Sequence, residues 1–359
     1  MSKTKKLLII SCSTGSGHFR AAESIRLTCQ KLYPDAQVLH IDMADYLNGV
    51  SHIYVVWLYS FLSANIPIAY KLIYHATDNS LIIKLFRLFA PIIRMGSKKF
   101  IKRINDYRPD LIISTHFLPP LILPKKFSAP ISMVITDYHA HRVWLAPNVK
   151  TFFVATDEMK NDLEKLNIKS VVSGIPIHPH FFKEKNVNEL KKELNIENDW
   201  PIILIMPIFF GSIIAKEAIT TIFSYNKKIN VVAITGKNNE KVFNDMETIK
   251  DSGQKNFTII KITSHIDGWM RIADIIVSKA GGLTISEVMY LQKPLIVVNP
   301  IPGQEDYNTA YLEKNNYCLR ANSSDDLAKK IKLLLSNPKL IEKKSHPNAS
   351  EIILKKIFD

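Results

Sequence analysis

Short apolar runs alternate with longer segments of helical period along this chain. In the first half, six apolar runs are bounded by polar or turn residues and predict buried strands: 7–11, 37–41, 111–114, 131–135, 151–154 and 170–172. Apolar positions at helical spacing predict a helix over 19–32. This alternation of strands and helices predicts a doubly wound α/β sheet.

A second series of the same kind follows a break rich in Gly and Pro at 174–179. A short helix is predicted over 187–194, and strands are predicted at 202–206, 230–234, 257–261, 275–278 and 295–299. At 359 residues, two domains are favoured over one. We therefore expect two Rossmann-like α/β domains that face each other across a cleft: residues 1–175, residues 176–340, and a C-terminal helix over 341–359.

Residues 46–103 interrupt the first series with aromatic and basic positions. Residues 84–103 carry seven Lys or Arg and no acidic residue, and apolar residues recur among them at helical spacing. This pattern predicts a basic amphipathic surface helix that contacts a membrane, or alternatively a helix packed on its own domain with a solvated basic face. The uncharged run 47–70 contains Asn48, His52, Asn65 and Pro67, so we do not interpret it as a membrane span.

The charge is concentrated in the first half. The chain carries a formal net charge of +14, of which residues 1–150 contribute +11 and the rest +3. Such an imbalance indicates an anionic partner: nucleic acid, anionic lipid or a phosphorylated substrate. The three cysteines (Cys12, Cys29 and Cys318) form no C-x-x-C pair and no metal-ligand spacing, which fits a reducing cytoplasm.

The first candidate site is the loop Ser13-Thr14-Gly15-Ser16-Gly17-His18, between a predicted strand and a predicted helix. As the start of G-x-G-x-x-G it would bind a dinucleotide, with Asp42 on the ribose, but Arg20 occupies the third glycine position. Alternatively, the loop forms the floor of an acceptor site with His18 facing it. A tight turn with His18 as a partial helix cap is the structural alternative.

Two further motifs follow the strands predicted at 275–278 and 295–299. In the first, backbone NH groups of Gly281 and Gly282 would bind a diphosphate, Thr284 would add a hydroxyl, and Glu287 would accept from ribose hydroxyls. Thr-x-x-Glu is also a capping box, although a capping box needs no preceding glycines. In the second, Pro302-Gly303-Gln304-Glu305 places an amide and a carboxylate where sugar hydroxyls would bind, or forms an ordinary proline turn.

Together these motifs resemble a glycosyltransferase family that contains bacterial MurG, plant monogalactosyldiacylglycerol synthase and bacterial processive diacylglycerol glucosyltransferases. Gly-Gly-x-Thr-x-x-Glu at 281–287 and Pro-Gly-Gln-Glu at 302–305 carry the resemblance in the second half. Gly-Ser-Gly-His at 15–18, Thr-Asp-Tyr-x-x-His-x-x-Trp at 136–144, Val-Ala-Thr-Asp at 154–157 and Ser-Gly-Ile-Pro-Ile at 173–177 resemble the diacylglycerol branch. The resemblance runs from about residue 6 to about residue 335, with the motifs in family order.

The resemblance implies a GT-B fold, with a UDP-sugar in the C-terminal domain and the acceptor on the N-terminal domain. The implied reaction moves glucose or galactose to diacylglycerol, or to a glycosyl-diacylglycerol, with inversion to a β-linkage. It requires no metal or other cofactor, and the sequence contains no Asp-x-Asp motif. The implied location is cytoplasmic, at an anionic inner membrane surface to which the protein binds peripherally.

The resemblance also implies roles for individual residues. His18 would be the catalytic base, with Asp137 orienting it or acting in its place. The acceptor would contact Gly17, Tyr138, His141 and Trp144. The UDP-sugar would contact Gly281, Gly282, Thr284, Glu287, Gln304 and Glu305, with uracil held by the backbone of the 262–266 loop around Thr263.

One loop departs from the family pattern. Relatives carry a small, glycine-rich loop after the first strand of the second domain, whereas this chain has Met-Pro-Ile-Phe-Phe-Gly-Ser at 206–212. Only Gly211 and Ser212 are suited to phosphate binding. The bulky Phe209 and Phe210 are expected to narrow the UDP-sugar pocket or to contact the acceptor.

Other functions explain less of the sequence. A dinucleotide-dependent oxidoreductase conflicts with Arg20, and a nucleic-acid-binding protein would explain the charge but not the two motifs at successive strand ends. We therefore expect no nucleic-acid partner. A MurG-like transferase or an epimerase that acts on a UDP-N-acetylhexosamine remains the alternative.

Overall fold

The computed structural model describes residues 4–13, 15–49, 61–62, 65–88, 90–124, 127–206, 212–225, 227–236, 240–251, 253–344 and 347–359. The chain divides into two compact units. Unit 1 comprises residues 1–182, 302–307 and 346–359, and unit 2 comprises residues 183–301 and 308–345. The Pro302–Tyr307 segment, which contains one of the sequence motifs, thus belongs to unit 1.

Unit 1 contains a parallel six-stranded sheet in the order β2-β1-β3-β4-β5-β6. Its strands are β1 (Lys6–Ser11), β2 (Gln37–Asp42), β3 (Leu111–Ser114), β4 (Ile131–Val134), β5 (Val149–Val154) and β6 (Ser170–Val172). Alternate residues of β1 enter different apolar clusters, Leu8 and Ile10 in one and Leu7 and Ile9 in the other. Helices therefore cover both faces of this sheet, which is why its central strands are continuous apolar runs.

The described α-helices of unit 1 include α1 (Ser16–Leu32), α2 (Pro67–Thr77), α3 (Ser80–Leu88), α4 (Ala90–Gly96), α5 (Lys98–Tyr107), α6 (Leu118–Ile122) and α7 (Asp157–Glu164). Three described 3₁₀ turns lie at Met43–Tyr46, Arg142–Trp144 and Pro179–Phe182. The C-terminal helix of the chain, Ala349–Phe358, also belongs to this unit. Its Ile353 and Leu354 are fully buried, and the Phe358 ring stacks on Tyr33 at 4.2 Å.

Unit 2 contains a second parallel six-stranded sheet, in the order β12-β11-β10-β7-β8-β9. Its strands are β7 (Ile202–Ile205), β8 (Asn230–Ile234), β9 (Phe257–Ile260), β10 (Ile275–Ser278), β11 (Leu295–Val298) and β12 (Leu319–Ala321). Its helices are α8 (Val187–Glu193), α9 (Ser212–Tyr225), α10 (Glu240–Asp251), α11 (Ile266–Ile272), α12 (Gly282–Tyr290) and α14 (Ser324–Ser336). Helix α13 (Gln304–Lys314) begins in the 302–307 segment of unit 1 and continues into unit 2. The C-terminal helix Ala349–Phe358 of unit 1 is α15.

The expectation of two Rossmann-like α/β domains is confirmed. The eleven strands expected from apolar runs are all present, with ends that differ by no more than two residues. The sequence did not predict β12, whose three residues Leu319, Arg320 and Ala321 are too few to show a period. The C-terminal helix begins at Ala349, so the preceding residues of the expected 341–359 helix are not all helical.

The expectation of one basic amphipathic helix over 84–103 is wrong. This stretch instead contains the end of α3, all of α4 and the start of α5. Pro91 lies in the first turn of α4, where its missing N–H costs nothing, and Gly96 ends α4 before Ser97 precedes α5. The aromatic residues 54, 57 and 59 lie outside the described residues. None of the described helices has both the length and the apolar character that crossing a membrane requires.

Candidate active site

His18 lies in the first turn of α1, the helix that follows β1. Helix α1 begins at Ser16, and its N-cap residue Gly15 makes no side-chain capping bond. The His18 ring is instead held at Nδ1, which lies 2.9 Å from the Thr115 carbonyl oxygen and 3.0 Å from Thr136 Oγ1. His18 is therefore not a partial cap of its own helix, and its ring faces residues that follow β3 and β4.

The surroundings of His18 favour its neutral form. Burial lowers the pKa of His18 to about 4, although the hydrogen bond to Thr115 and the charge of Asp42 partly oppose that shift. His116 meets the His18 ring edge-on at a centroid distance of 4.7 Å, and burial also lowers the pKa of His116. The Trp144 ring lies 5.8 Å from His18. A neutral imidazole in this position can accept a proton at physiological pH.

Asp42 fixes the loop that precedes His18. Its Oδ2 accepts hydrogen bonds from the hydroxyls of Ser11 (2.8 Å) and Ser13 (2.6 Å), and its Oδ1 accepts from the backbone N–H groups of Ser13 and Ala44. Burial would raise the pKa of Asp42, but these hydrogen bonds outweigh it and lower that pKa. Four hydrogen bonds from Ser11, Ser13 and Ala44 therefore occupy the carboxylate that the dinucleotide interpretation assigned to a ribose.

The residues predicted from the 136–144 motif lie together after β4. Asp137, Tyr138, His141 and Trp144 are all buried. His141 Nδ1 accepts from the backbone N–H of Val143 at 3.1 Å, and His141 Nε2 lies 2.8 Å from the Tyr74 carbonyl. His141 therefore fixes the turn before Trp144 and links it to α2, and burial lowers the pKa of His141.

Asp137 contacts the 302–307 segment of the same unit. Gln304 Nε2 donates to Asp137 Oδ1 at 2.7 Å. The Tyr307 ring stacks on His139 at 4.0 Å with the planes 6° apart, and the Tyr307 hydroxyl lies 3.2 Å from His75 Nδ1. These contacts bring together two motifs that the sequence assigned to different ligands, one to the acceptor and one to the sugar.

Asp78, just after α2, supports the same group of residues. It lies 3.3 Å from His139 Nε2 through Oδ2 and accepts from the backbone N–H of Arg142 through Oδ1. Burial alone would raise its pKa, but these hydrogen bonds and the nearby histidines lower the pKa of Asp78 to about 2. The carboxylate is thus ionised at physiological pH and holds the 139–142 turn.

Unit 2 carries the second predicted group of residues, at the carboxyl end of β10. Gly281 is the N-cap of α12, and Gly282 is its first residue, so Thr284 lies in the first turn and is not the cap. The capping-box interpretation is therefore excluded. Glu287 is fully buried one turn further along α12. Asn308 Nδ2 donates to the Ala280 carbonyl at 3.0 Å and so fixes the turn that precedes α12. The N–H groups of the first turn of α12 have no acceptor within the helix, an arrangement that suits an anion.

The remaining predicted UDP-sugar residues are described only in part. Thr263 Oγ1 accepts from the backbone N–H of His265 at 2.9 Å and so shapes the exposed loop before α11. Glu305 is buried at the start of α13. Gly211, Phe209 and Phe210 lie outside the described residues, as does the side chain of Ser212 at the start of α9. The described loops contain no group of three or more His, Cys, Asp or Glu side chains placed to hold a metal ion.

Sequence reasoning missed Thr115 and His116 around His18, and Asn308 beside Ala280, and it named Thr136 within a motif without a role of its own. A signal for both threonines was present, because Thr115 and Thr136 directly follow the strands predicted at 111–114 and 131–135. The carboxyl ends of parallel strands lie at one edge of the sheet, where α/β proteins place their functional side chains.

Known proteins match this chain over both halves. Residues 18–177 match the family model of monogalactosyldiacylglycerol (MGDG) synthase, and residues 211–356 match the glycosyltransferase family 28 C-terminal domain. The processive diacylglycerol beta-glucosyltransferase of Bacillus subtilis (strain 168) is 24% identical over 385 residues, covering 100% of this chain and 96% of that protein.

Solved structures share the fold at lower identity. MurG of Acinetobacter baumannii superposes with a TM-score of 0.59 at 14% identity, covering 99% of both chains. The UDP-GlcNAc 2-epimerase of Neisseria meningitidis, solved with UDP-GlcNAc, gives a TM-score of 0.66 at 16% identity, covering 98% of this chain and 99% of that one.

Two parallel-sheet units of this kind define the GT-B fold, with a helix that begins at glycine after β10 and a half-buried histidine after β1. The match to the glycosyltransferase family 28 C-terminal domain and to the named glucosyltransferases identifies the protein as a glycosyltransferase. The resemblance stated from the motifs is confirmed as well. The first half of the chain is similar to the monogalactosyldiacylglycerol synthases, and the whole chain is similar to the processive diacylglycerol glucosyltransferases.

Proposed function

We propose that this protein transfers glucose or galactose from a UDP-sugar to diacylglycerol, or to a glycosyl-diacylglycerol, at the inner membrane surface. The sugar is transferred with inversion, which produces a β-linkage. The observation that carries the proposal is the His18 ring, held at Nδ1 so that Nε2 is available as a base, within the region that matches MGDG synthase.

The UDP-sugar binds at the start of α12. The first-turn N–H groups after Gly281 have no partners within the helix, and the positive end of the helix dipole favours the diphosphate. Glu287 receives the ribose hydroxyls, and the backbone around Thr263 receives the uracil. Gln304 and Glu305 bind the hexose. No metal is needed in this scheme, because the helix N-terminus supplies the positive potential that the departing UDP requires.

The transfer is a single displacement. The acceptor hydroxyl gives its proton to His18 Nε2 as its oxygen forms a bond to the anomeric carbon. The bond between that carbon and the UDP oxygen breaks, and UDP leaves with the electron pair. His18 then releases the proton to solvent. A positioned general base of this kind contributes on the order of 10²–10⁴ in rate.

The acceptor is reached from a membrane on which α2 and α3 dock. Ile68 and Leu72, one turn apart on α2, leave 76% and 66% of their surfaces exposed, and Leu81 and Leu88 on α3 are exposed to a similar extent. Exposed apolar side chains of this size on neighbouring helices are typical of an interaction surface. These exposed apolar side chains of α2 and α3 enter the headgroup region of the membrane. Exposed lysines of the same unit contact anionic lipid.

Only some of the basic residues are available for this docking. Arg87 donates to the Leu145 carbonyl at 2.6 Å, and Arg94 donates to the Ile122 carbonyl at 2.6 Å, so both arginines hold backbone within the unit. Lys84, Lys98 and Lys99 are exposed. The lysines supply the membrane charge, and the arginines fix the helices to Leu145, directly after Trp144, and to α6.

Release of UDP with and without diacylglycerol tests the proposal against its alternative. A transferase releases UDP from UDP-glucose or UDP-galactose in proportion to the diacylglycerol present in the vesicles. An epimerase that acts on a UDP-N-acetylhexosamine interconverts its substrate whether or not lipid is added. Release that is independent of diacylglycerol contradicts transfer to lipid.

A further inference from the structure

We propose that Thr115 and Thr136 are the positioning residues of His18, and that these two threonines, rather than a carboxylate, orient the ring with its basic nitrogen at Nε2. The inference rests on the proposed function, because it concerns how the base of that reaction is held. Residues that follow β3 and β4 thus orient His18, a role that the sequence resemblance implied for Asp137.

The tautomer of His18 follows from the Thr115 carbonyl. A carbonyl oxygen only accepts hydrogen bonds, so the nitrogen 2.9 Å away must carry the ring hydrogen. Nδ1 is therefore protonated in the neutral ring, and the lone pair lies at Nε2. The nitrogen that acts as a base in a histidine is set by the hydrogen bond that the other nitrogen makes.

The Thr115 side chain completes a reciprocal pair with His18. Its hydroxyl donates to the backbone carbonyl of His18 at 2.8 Å, while its own carbonyl accepts from the His18 ring. The Thr115 N–H donates to the Ile10 carbonyl at 3.0 Å, which extends the pairing of β3 with β1 by one residue. Thr115 is thus fixed by the sheet and holds both the backbone and the ring of His18.

Thr136 supplies a second oxygen at the same ring nitrogen. Its Oγ1 lies 3.0 Å from Nδ1, and because Nδ1 carries the hydrogen, this oxygen accepts from it. The two oxygens share one N–H, which prevents the ring from flipping and stabilises the imidazolium that forms during transfer. Neutral oxygens stabilise a cation less than a carboxylate does, so His18 remains a weak base that is neutral at physiological pH.

Asp137 has a different contact in the structure. Its Oδ1 accepts from Gln304, on the segment whose motif is assigned to the hexose. The carboxylate therefore acts on the sugar side of the site, while the threonines act on His18.

The test uses Thr115→Val and Thr136→Val, which keep the side-chain shape and remove the hydroxyl, with Thr115→Ser and Thr136→Ser as matched variants that retain it. Each Val variant is expected to lower kcat about tenfold, since small misplacement of a base is costly, with KM for the UDP-sugar changed less than about twofold. The Ser variants are expected to recover most of that loss. Val and Ser variants that are equally impaired would assign the loss to packing and overturn the proposal, as would Val variants with the kcat of the unmodified enzyme.

Nitrogen-15 NMR of histidine-labelled full-length protein, without substrate, provides a second measurement that does not depend on activity or on the stability of any Val variant. His18→Gln identifies the His18 resonances among the 11 histidines by their disappearance. The unmodified protein is expected to show a hydrogen at His18 Nδ1 and none at Nε2. A hydrogen at Nε2 in the neutral ring overturns the proposal. Failure of the proposed function is a different result, an unmodified enzyme that transfers no sugar to diacylglycerol.

Discussion

Gln304 donates a 2.7 Å hydrogen bond to the buried carboxylate of Asp137, across 167 positions of the chain. Hydrogen bonds to an ionised, buried group are stronger than those between neutral groups, and losing one costs about 1.5–3 kcal/mol. The bond joins the Pro-Gly-Gln-Glu motif to the Thr-Asp-Tyr motif within unit 1. A side chain that the proposal assigns to the hexose thus also fixes a carboxylate close to the His18 region.

Exchange of Gln304 for Glu is therefore expected to destabilise the protein more than exchange for Ala. Gln304→Glu keeps the shape but places a second carboxylate against Asp137, whereas Gln304→Ala only removes the amide. Thermal unfolding at pH 8 is expected to give the lower Tm for Gln304→Glu. The difference should shrink at pH 5, because one of two adjacent carboxyl groups then protonates. A Glu variant as stable as the Ala variant at pH 8 would show that the two groups do not interact.

Stability is expected to depend on pH through His18. The pKa of His18 is lowered from 6.5 to about 4 by burial, so between these values the unfolded chain binds a proton that the folded protein does not. Lowering the pH through this window therefore favours unfolding. His18→Gln removes the effect while the other buried histidines remain, so the Tm of the unmodified protein should fall more steeply below pH 6.5 than that of the variant. Parallel Tm curves would contradict the lowered pKa of His18.

Membrane binding is expected to depend on lysines and not on total charge. Lys84 on α3 and Lys98 and Lys99 at the start of α5 are exposed. Because each lysine at an anionic surface contributes about 1 kcal/mol, changing all three to Gln should weaken binding to anionic vesicles by roughly a hundredfold. Added salt should weaken the binding of the unmodified protein in the same direction.

A control variant that loses the same charge elsewhere distinguishes a docking surface from a general attraction between the basic protein and anionic lipid. Lys329, Lys332 and Lys343 are exposed in unit 2, and changing these three to Gln removes the same charge. This control is expected to bind anionic vesicles almost as the unmodified protein does. Equal loss in the two triple variants, measured by vesicle sedimentation, would refute a docking surface on α2 and α3.

Gly303 is expected to be sensitive to the smallest substitution. Its backbone has φ +91°, and an added Cβ would lie 3.1 Å from three atoms of Tyr74, its Cβ included. Gly303→Ala therefore combines backbone strain, of order 1–3 kcal/mol, with a close contact. Gly253, with φ +101° and open space around it, is the control for strain alone. The Tm should fall further for Gly303→Ala than for Gly253→Ala, and the opposite order would exclude the Tyr74 contact as a constraint.

The strands and the strand-end motifs could be predicted because each depends on local sequence. Apolar runs gave all of the central strands, and Gly281-Gly282 followed by Thr284 indicated a ligand-binding helix start. The contacts of His18 could not be predicted in the same way, because Thr115 and Thr136 are 97 and 118 positions away and only the sheet brings them together. The basic segment was misread because charge and apolar spacing continue across Gly96 and Ser97, where α4 ends and α5 begins.

The most direct test of the central claim is an assay of the purified protein with labelled UDP-glucose and UDP-galactose on mixed vesicles that contain diacylglycerol. The account predicts a labelled glycosyl-diacylglycerol with a β-linkage from the unmodified enzyme. It predicts no labelled lipid from His18→Ala, although that variant still binds UDP at α12. A labelled product with an α-linkage, full turnover by His18→Ala, or no transfer to lipid from either sugar would contradict it.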